Sequence, residues 1–178
     1  MGYDGGVREW IPVPGGVKAR LLAAALARFE AEGFEAASVT DIARDAGVTT
    51  GALYHHFGSK PELFATLREE MERRVRDRME GAFAAVGGGR AGLAAALRVA
   101  VDAAVRFAAV RVLSDPAGPA ERDVLRPTLR GLIDGAPGAA PEVLLGAYRA
   151  ALAAIAGGAT PEATRAAIDW LLSGPQGT

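Results

Sequence analysis

The 178-residue chain contains no cysteine. That excludes a disulfide framework, a thiolate metal site and cysteine nucleophilic chemistry. Histidine is nearly as scarce. The two present, His55 and His56, are adjacent, and neighbours on a helix point different ways, so they cannot chelate one ion together. Charge of one sign is missing as well: 20 Lys and Arg against 21 Asp and Glu leave a formal net charge of -1, with no global basic field to draw in nucleic acid or a membrane surface. A long uncharged apolar run is also lacking. The greasiest stretch, residues 91–113, is interrupted by Arg98, Asp102, Arg106 and Arg111, whereas a spanning helix needs roughly 20 residues with few charges. The opening Met1-Gly2-Tyr3-Asp4-Gly5-Gly6 has neither the basic nor the apolar region of a secretory signal. The expectation is a cytoplasmic protein with no membrane contact.

What is present is 50% hydrophobic residues, enough for one sizeable core or two small domains. Arginine takes almost every basic position, with Lys18 and Lys60 the only lysines. The 23 glycines and 10 prolines fall in clusters between apolar runs, as joints between helices do. Residues 1–16, glycine-rich and without periodicity, read as a tail in which Trp10 and Ile11 are the apolar exceptions. Helical spacing begins with Val17, Leu21, Ala25 and Phe29 and ends at Gly33. Ser38-Val39-Thr40-Asp41 has a capping-box pattern, and the short helix it opens stops at Gly47. A second short helix is capped by Thr49, carries Leu53 and Phe57 on one face and closes at Gly58. Ser59-Lys60-Pro61-Glu62 opens a long helix through Leu63, Leu67, Met71 and Val75 to about Val86.

Beyond the joint at 87–89, one long helix is expected through Leu93, Leu97, Val101, Val105 and Val112, then a turn over 115–119. A shorter helix over 123–133 follows. Pro141 suits the first turn of another, and Thr160-Pro161 caps a last one that stops at Gly174-Pro175. No segment alternates with period two, so the fold is expected to be all-α.

Residues 38–60 carry the most chemistry. Two short amphipathic helices joined by Ala46-Gly47-Val48-Thr49 match a helix-turn-helix, in which the second helix enters the DNA major groove. On spacing alone an ordinary helical hairpin fits equally well. The side chains favour the first reading. With Leu53 and Phe57 turned inward, Thr50, Gly51, Ala52, Tyr54, His55 and His56 are left for the outside. Small residues allow approach to base edges, while hydroxyls and imidazoles can donate to phosphate. Thr40 and Lys60 stand at the starts of two helices, where free N–H groups favour an anion.

The run Thr40-Asp41-Ile42-Ala43-Arg44-Asp45-Ala46-Gly47-Val48-Thr49-Thr50-Gly51-Ala52-Leu53-Tyr54-His55-His56-Phe57-Gly58-Ser59-Lys60-Pro61-Glu62-Leu63, preceded by Phe29-Glu30-Ala31-Glu32-Gly33-Phe34, resembles the DNA-binding signature of the TetR family of transcriptional regulators. The resemblance covers roughly residues 17–65. It implies a three-helix DNA-binding domain over 17–62 and a helical effector-binding and dimerisation domain over 63–178. The implied protein is a homodimer on palindromic double-stranded operator DNA, usually repressing, released by an unidentified small-molecule effector. It is no enzyme and needs no cofactor or metal. By position, Thr49 and Thr50 start the recognition helix, Ala52 and His55 lie nearest the bases, and Tyr54, His56, Thr40 and Lys60 grip phosphates. Thr50 and Ala52 offer few donors, so base reading rests on methyl contacts to thymine and on DNA shape. Within 38–60, Arg44 and Lys60 only balance Asp41 and Asp45, so the salt dependence of binding should be shallow.

The same resemblance implies a dimer bundle from the last two helices, with Leu144, Ala147, Ala151, Leu152, Ile155, Trp170 and Leu171 as candidates, and an effector cavity with Phe83, Arg106, Phe107, Arg111 and Tyr148 as candidates. For each, ordinary core packing or a solvated face is the competing role, and Arg106 four residues after Asp102 is ordinary helix pairing. The low aromatic content of 6% favours an aliphatic or small effector over a flat multi-ring one. An activator or an effector-independent regulator would carry the same DNA head. A small all-α enzyme would need an acid–base constellation in the second half, which has no histidine or cysteine. Gly87-Gly88-Gly89-Arg90-Ala91-Gly92 satisfies a dinucleotide fingerprint in letters only, because a helix precedes it where a strand is required.

Overall fold

The computed structural model describes residues 15–115, 122–133, 135 and 137–173. Most of the expected tail, including Trp10 and Ile11, lies outside the described residues, as do positions 116–119 and the stop at Gly174-Pro175. Among the described residues the chain forms nine helices and no strand: α1 Val17–Ala36, α2 Val39–Asp45, α3 Thr50–Phe57, α4 Lys60–Ala85, α5 Gly89–Arg106, α6 Val110–Ser114, α7 Leu125–Leu132, α8 Ala140–Ala156 and α9 Pro161–Ser173. The fold is all-α.

Local chemistry sets most boundaries. Ser59 accepts the Glu62 N–H at 3.2 Å, and Thr160 accepts the Ala163 N–H at 3.2 Å, so α4 and α9 start on the side-chain caps the sequence provides. Asp123 accepts the Arg126 N–H at 2.9 Å, and α7 begins two residues after it. Ser38 departs from expectation: it stands at the N-cap of α2, but its hydroxyl makes no capping bond. At Gly33 the backbone leaves helical geometry (φ 82°, ψ 167°), and one further turn follows before Ala37 returns its N–H to the Gly33 carbonyl.

α4 spans 26 residues, roughly 40 Å at 1.5 Å per residue. Its buried stripe is Leu63, Leu67, Met71, Val75 and Met79, and α4 packs chiefly on α5, whose buried side carries Leu93, Ala96, Leu97, Ala100, Val101 and Ala104. The two helices lie close where they join: a Cβ on Gly92 would stand 2.9 Å from the Phe83 ring and 3.0 Å from its carbonyl oxygen.

The single long helix expected over 91–113 is two helices. α5 stops at Arg106, Ala108 takes φ 49°, and its N–H and that of Ala109 return to the carbonyls of Val105 and Ala104. This is a helix ending of the kind usually built on glycine. The break buries Phe107, Ala109, Val112 and Leu113, while Val105, expected on the apolar side, is exposed. Asp102 likewise does not depend on Arg106 for a partner: it accepts a bond from Arg165 on α9.

One continuous apolar cluster runs from Leu21 on α1 through Leu63 and Met71 on α4 to Leu113, Leu152 and Ile168. The boundary expected between residues 62 and 63 falls inside unbroken α4. Buried within this core is a polar group. Arg68 Nε donates to Glu72 Oε1 at 3.1 Å, Glu72 Oε2 accepts the Val124 N–H at 2.9 Å, and Arg149 lies 3.4 Å from Asp123. Burial pushes the Glu72 carboxyl above its ordinary range. No helix among the described residues is long and apolar enough to cross a membrane.

Candidate nucleic-acid interface

α2, its turn and α3 are held from behind. Ile42 and Ala43 of α2 and Leu53 and Phe57 of α3 are buried against α1 and α4. Between the helices the Gly47 N–H bonds to the Arg44 carbonyl and the Val48 N–H to the Ala43 carbonyl, each at 3.0 Å. Gly47 sits at φ 65°, a conformation that a side chain resists. Arg20 of α1 donates from Nε to the Ala46 carbonyl at 2.9 Å, closing the end of α2. Sequence spacing gave no sign of this contact, because its partners are 26 residues apart. Arg28 binds Asp45 at 2.6 Å, and its guanidinium holds the Asp45 carboxyl below the usual carboxylate range.

α3 begins on its own cap, with the Thr49 hydroxyl accepting the Ala52 N–H at 3.2 Å. Two buried anchors leave the rest of the helix outward. Tyr54 is 50% exposed, and His55, His56 and Gly51 are exposed beside it. Thr50 and Ala52 are half-buried, and the His55 and His56 rings meet edge to face at 5.5 Å. Thr40 is exposed in the first turn of α2, and Thr49 is exposed at the start of α3. Lys60 is half-buried and already engaged: its Nζ donates to the Glu35 carbonyl at 3.0 Å and stands 4.7 Å from the centre of the Phe34 ring. Arg44, at 65% side-chain exposure, binds Asp41 at 2.5 Å. The surface is therefore a short, capped, aromatic and imidazole-bearing helix on a rigid base, with few uncommitted cations. Such a helix can enter a major groove and place small side chains at base edges.

Residues 21–67 match the model for bacterial regulatory proteins of the tetR family. Over 46 residues the chain is 48% identical to the HTH-type transcriptional repressor KstR2 of Mycobacterium tuberculosis, covering 26% of this chain and 23% of that relative. That family match is confined to the part of the chain that holds α2, α3 and their turn. Beyond the head, the fold matches a TetR-family regulator of Pectobacterium atrosepticum (TM-score 0.67, 24% identity, 88% of this chain and 90% of that one). It also matches the TetR-like regulator LfrR of Mycobacterium smegmatis, solved with proflavine (TM-score 0.65, 21% identity, 91% and 98%).

The rest of the chain does not gather the five effector candidates into one cavity. Phe83 wedges the α4–α5 joint. Arg106 is exposed at the end of α5, and Phe107 is buried beneath the Arg78 guanidinium. Arg111 lines a separate 190 Å³ hollow beside Gly33, Phe34 and Phe64. Tyr148 is in the core, its hydroxyl without a hydrogen-bond partner, and burial together with the Glu72 charge pushes its phenol above its ordinary value. The dimer candidates divide differently. Trp170 and Leu171 are 79% and 58% exposed, and Leu144, Ala147, Ala151 and Ile155 are half-buried along α8. Leu152 is fully buried in the chain's own core. Among the described residues no group of three His, Asp or Glu stands in metal-binding array.

Proposed function

We propose that this protein is a TetR-family transcriptional regulator, acting as a repressor, that binds a palindromic operator as a homodimer and is released by a small molecule. The observation that carries the reading is α3 itself, a capped helix anchored by Leu53 and Phe57 that turns Tyr54, His55 and His56 to solvent. Residues 17–62 form the reading head and 63–178 the sensing and dimerising part. Thr49 and Thr50 start the recognition helix, Ala52 and His55 lie nearest the bases, and Thr40, Tyr54, His56 and Lys60 grip the phosphates. Two recognition helices in one dimer would occupy major grooves about 34–36 Å apart or a multiple of that. Support for a dimer comes from the α8–α9 face, where Trp170 and Leu171 leave large apolar surface exposed beside a groove lined by Ala147, Ala151 and Ala167. α4 joins head and body as one helix, so a ligand that binds two tilts of it unequally shifts operator affinity, with coupling typically ~1–3 kcal/mol.

The test is fluorescence anisotropy against the DNA flanking the gene, followed by selection from random duplexes. Expected is competitor-resistant binding at two chains per palindrome, weakened by Tyr54→Ala. A chain that selects no sequence from a random pool is not a DNA-binding regulator.

A further inference from the structure

We infer that the body binds an amphipathic small molecule, an apolar skeleton ending in a single anionic group, in the cleft beside the α4–α5 joint with Arg90 as the anion's partner. The cleft has a volume of about 670 Å³, inside the range of roughly 300–1,000 Å³ of small-molecule sites. Four helices build its walls from Leu93 on α5, Leu132 on α7, Val143 and Leu144 on α8 and Leu172 on α9. None of the effector candidates named from sequence lines it.

The lining selects the chemistry. Among the described residues Arg90 is its only charged side chain, and the others are aliphatic, proline, alanine or glycine. A sugar or polyol would bury hydroxyls with nothing to receive them, and a cation would meet Arg90. An apolar body with one carboxylate or phosphate satisfies both parts of the site. The Arg90 guanidinium is tethered at the cleft, where its Nε donates to the Leu172 carbonyl at 2.5 Å. That bond uses one of five N–H donors in a fork shaped for such anions.

The position also gives the ligand leverage. Arg90 follows three consecutive glycines at positive φ, Gly87, Gly88 and Gly89, and the Gly88 N–H bonds back to the Phe83 carbonyl at 3.0 Å. A ligand that draws on Arg90 therefore acts on the joint by which α5 turns back from α4, and α4 leads to the head. A second copy of the chain is the other conceivable occupant. The exposed Leu171, however, lines a separate alanine-rich groove of about 370 Å³, so a partner's helices have their own seat. Only the regulatory consequence rests on the proposed function; the binding does not.

Calorimetry on the full chain without DNA, using dodecanoate below its micellar range, with dodecanol and butanoate as controls, tests the site. Expected is one dodecanoate per chain, with dodecanol and butanoate each weaker by roughly tenfold or more. Arg90→Gln, a change at an exposed side chain, should reduce dodecanoate to the level of dodecanol and leave dodecanol unchanged. Ala140→Trp, which fills the cleft, should weaken both. Equal binding of acid and alcohol, an acid affinity indifferent to Arg90→Gln, or no binding at all overturns the inference. So does an Ala140→Trp chain that turns monomeric in sedimentation while still binding the acid, because the cleft is then an interface between copies. Failure of the two readings is separable: acid binding without operator binding defeats the regulator alone, and operator binding without acid binding defeats the cleft alone.

Discussion

The Glu30 carboxylate of α1 closes the amino end of α6, accepting the Val112 N–H at 2.6 Å and the Arg111 N–H at 3.1 Å. α6 has five residues and no cap of its own, since Ala109 precedes it, and the first turn of any helix leaves backbone donors without intrahelical partners. A side chain of α1 thus completes the amino end of α6.

Glu30→Ala should cost about 1–2 kcal/mol in urea unfolding, the scale of a lost cap. The pH dependence has a definite sign. Burial holds the Glu30 carboxyl above its ordinary 4.5, against the opposing pull of the α6 amides. The folded chain therefore binds this proton more tightly than the unfolded one. Its contribution is fully present below the ordinary value and is lost as pH rises through the raised one. Glu30→Gln should flatten the stability curve just above pH 4.5. An unchanged slope would assign that slope to Glu72, whose carboxyl is displaced in the same direction.

Arg68 and Glu72 are almost fully buried, at 1% and 0% exposure. Removing one member of such a pair strands the other in a medium that cannot solvate it. Arg68→Met alone should destabilise by about 3–5 kcal/mol, and the double change Arg68→Met with Glu72→Met should recover much of that loss. Equilibrium unfolding of the three chains measures the coupling. A double variant no better than Arg68→Met would mean that the Val124 N–H, left without its acceptor, matters more than the stranded carboxylate.

The elements legible in the sequence were those whose cause is local. Thr49, Ser59 and Thr160 each cap a backbone amide three residues on, so their patterns lie within one turn. Leu53 and Phe57, four apart, disclosed the buried side of α3 and by subtraction its outward one. Ser38 has the same pattern and makes no such bond, because a hydroxyl rotamer is not written in spacing. The break at Ala108 was hidden for another reason: alanine occupies a position where glycine would have announced a turn. Long contacts were hidden altogether. Arg20 on the Ala46 carbonyl, Glu30 on α6 and Arg68 on the Asp115 carbonyl join residues 26 to 82 apart, and Tyr148 could not be told from a cavity wall until Arg68 and Glu72 were found around it.

The α8–α9 face supplies a test of self-association. Ala154 is exposed on α8 and lines the alanine groove near Leu171, so Ala154→Glu adds a charge there without touching the core. Burying a large apolar side chain is worth about 1.5–3 kcal/mol, and a carboxylate in its path forfeits that gain. Expected is a chain that sediments as a monomer at concentrations where the parent is a dimer, with the same unfolding midpoint when both are measured as monomers. A parent that is itself monomeric at high concentration would remove the dimer from the proposed function.

Salt dependence tests the proposed hold of α3 on DNA. Each phosphate neutralised contributes about -0.9 to the slope of log K against log salt. Within residues 38–60 the cations are Arg44 and Lys60. The first is bound to Asp41, and the second is spent in part on the Glu35 carbonyl and the Phe34 ring. If both still reach a phosphate in each copy, four contacts per dimer give a slope no steeper than about -4. Lys60→Gln should reduce it by about 2 across the dimer and weaken all sequences alike, whereas His55→Ala should alter sequence preference and leave the slope unchanged. A slope near twice the expected one would show that cations outside this segment, Lys18 of α1 first among them, carry the backbone contacts, and that the helix-turn-helix reads more than it grips.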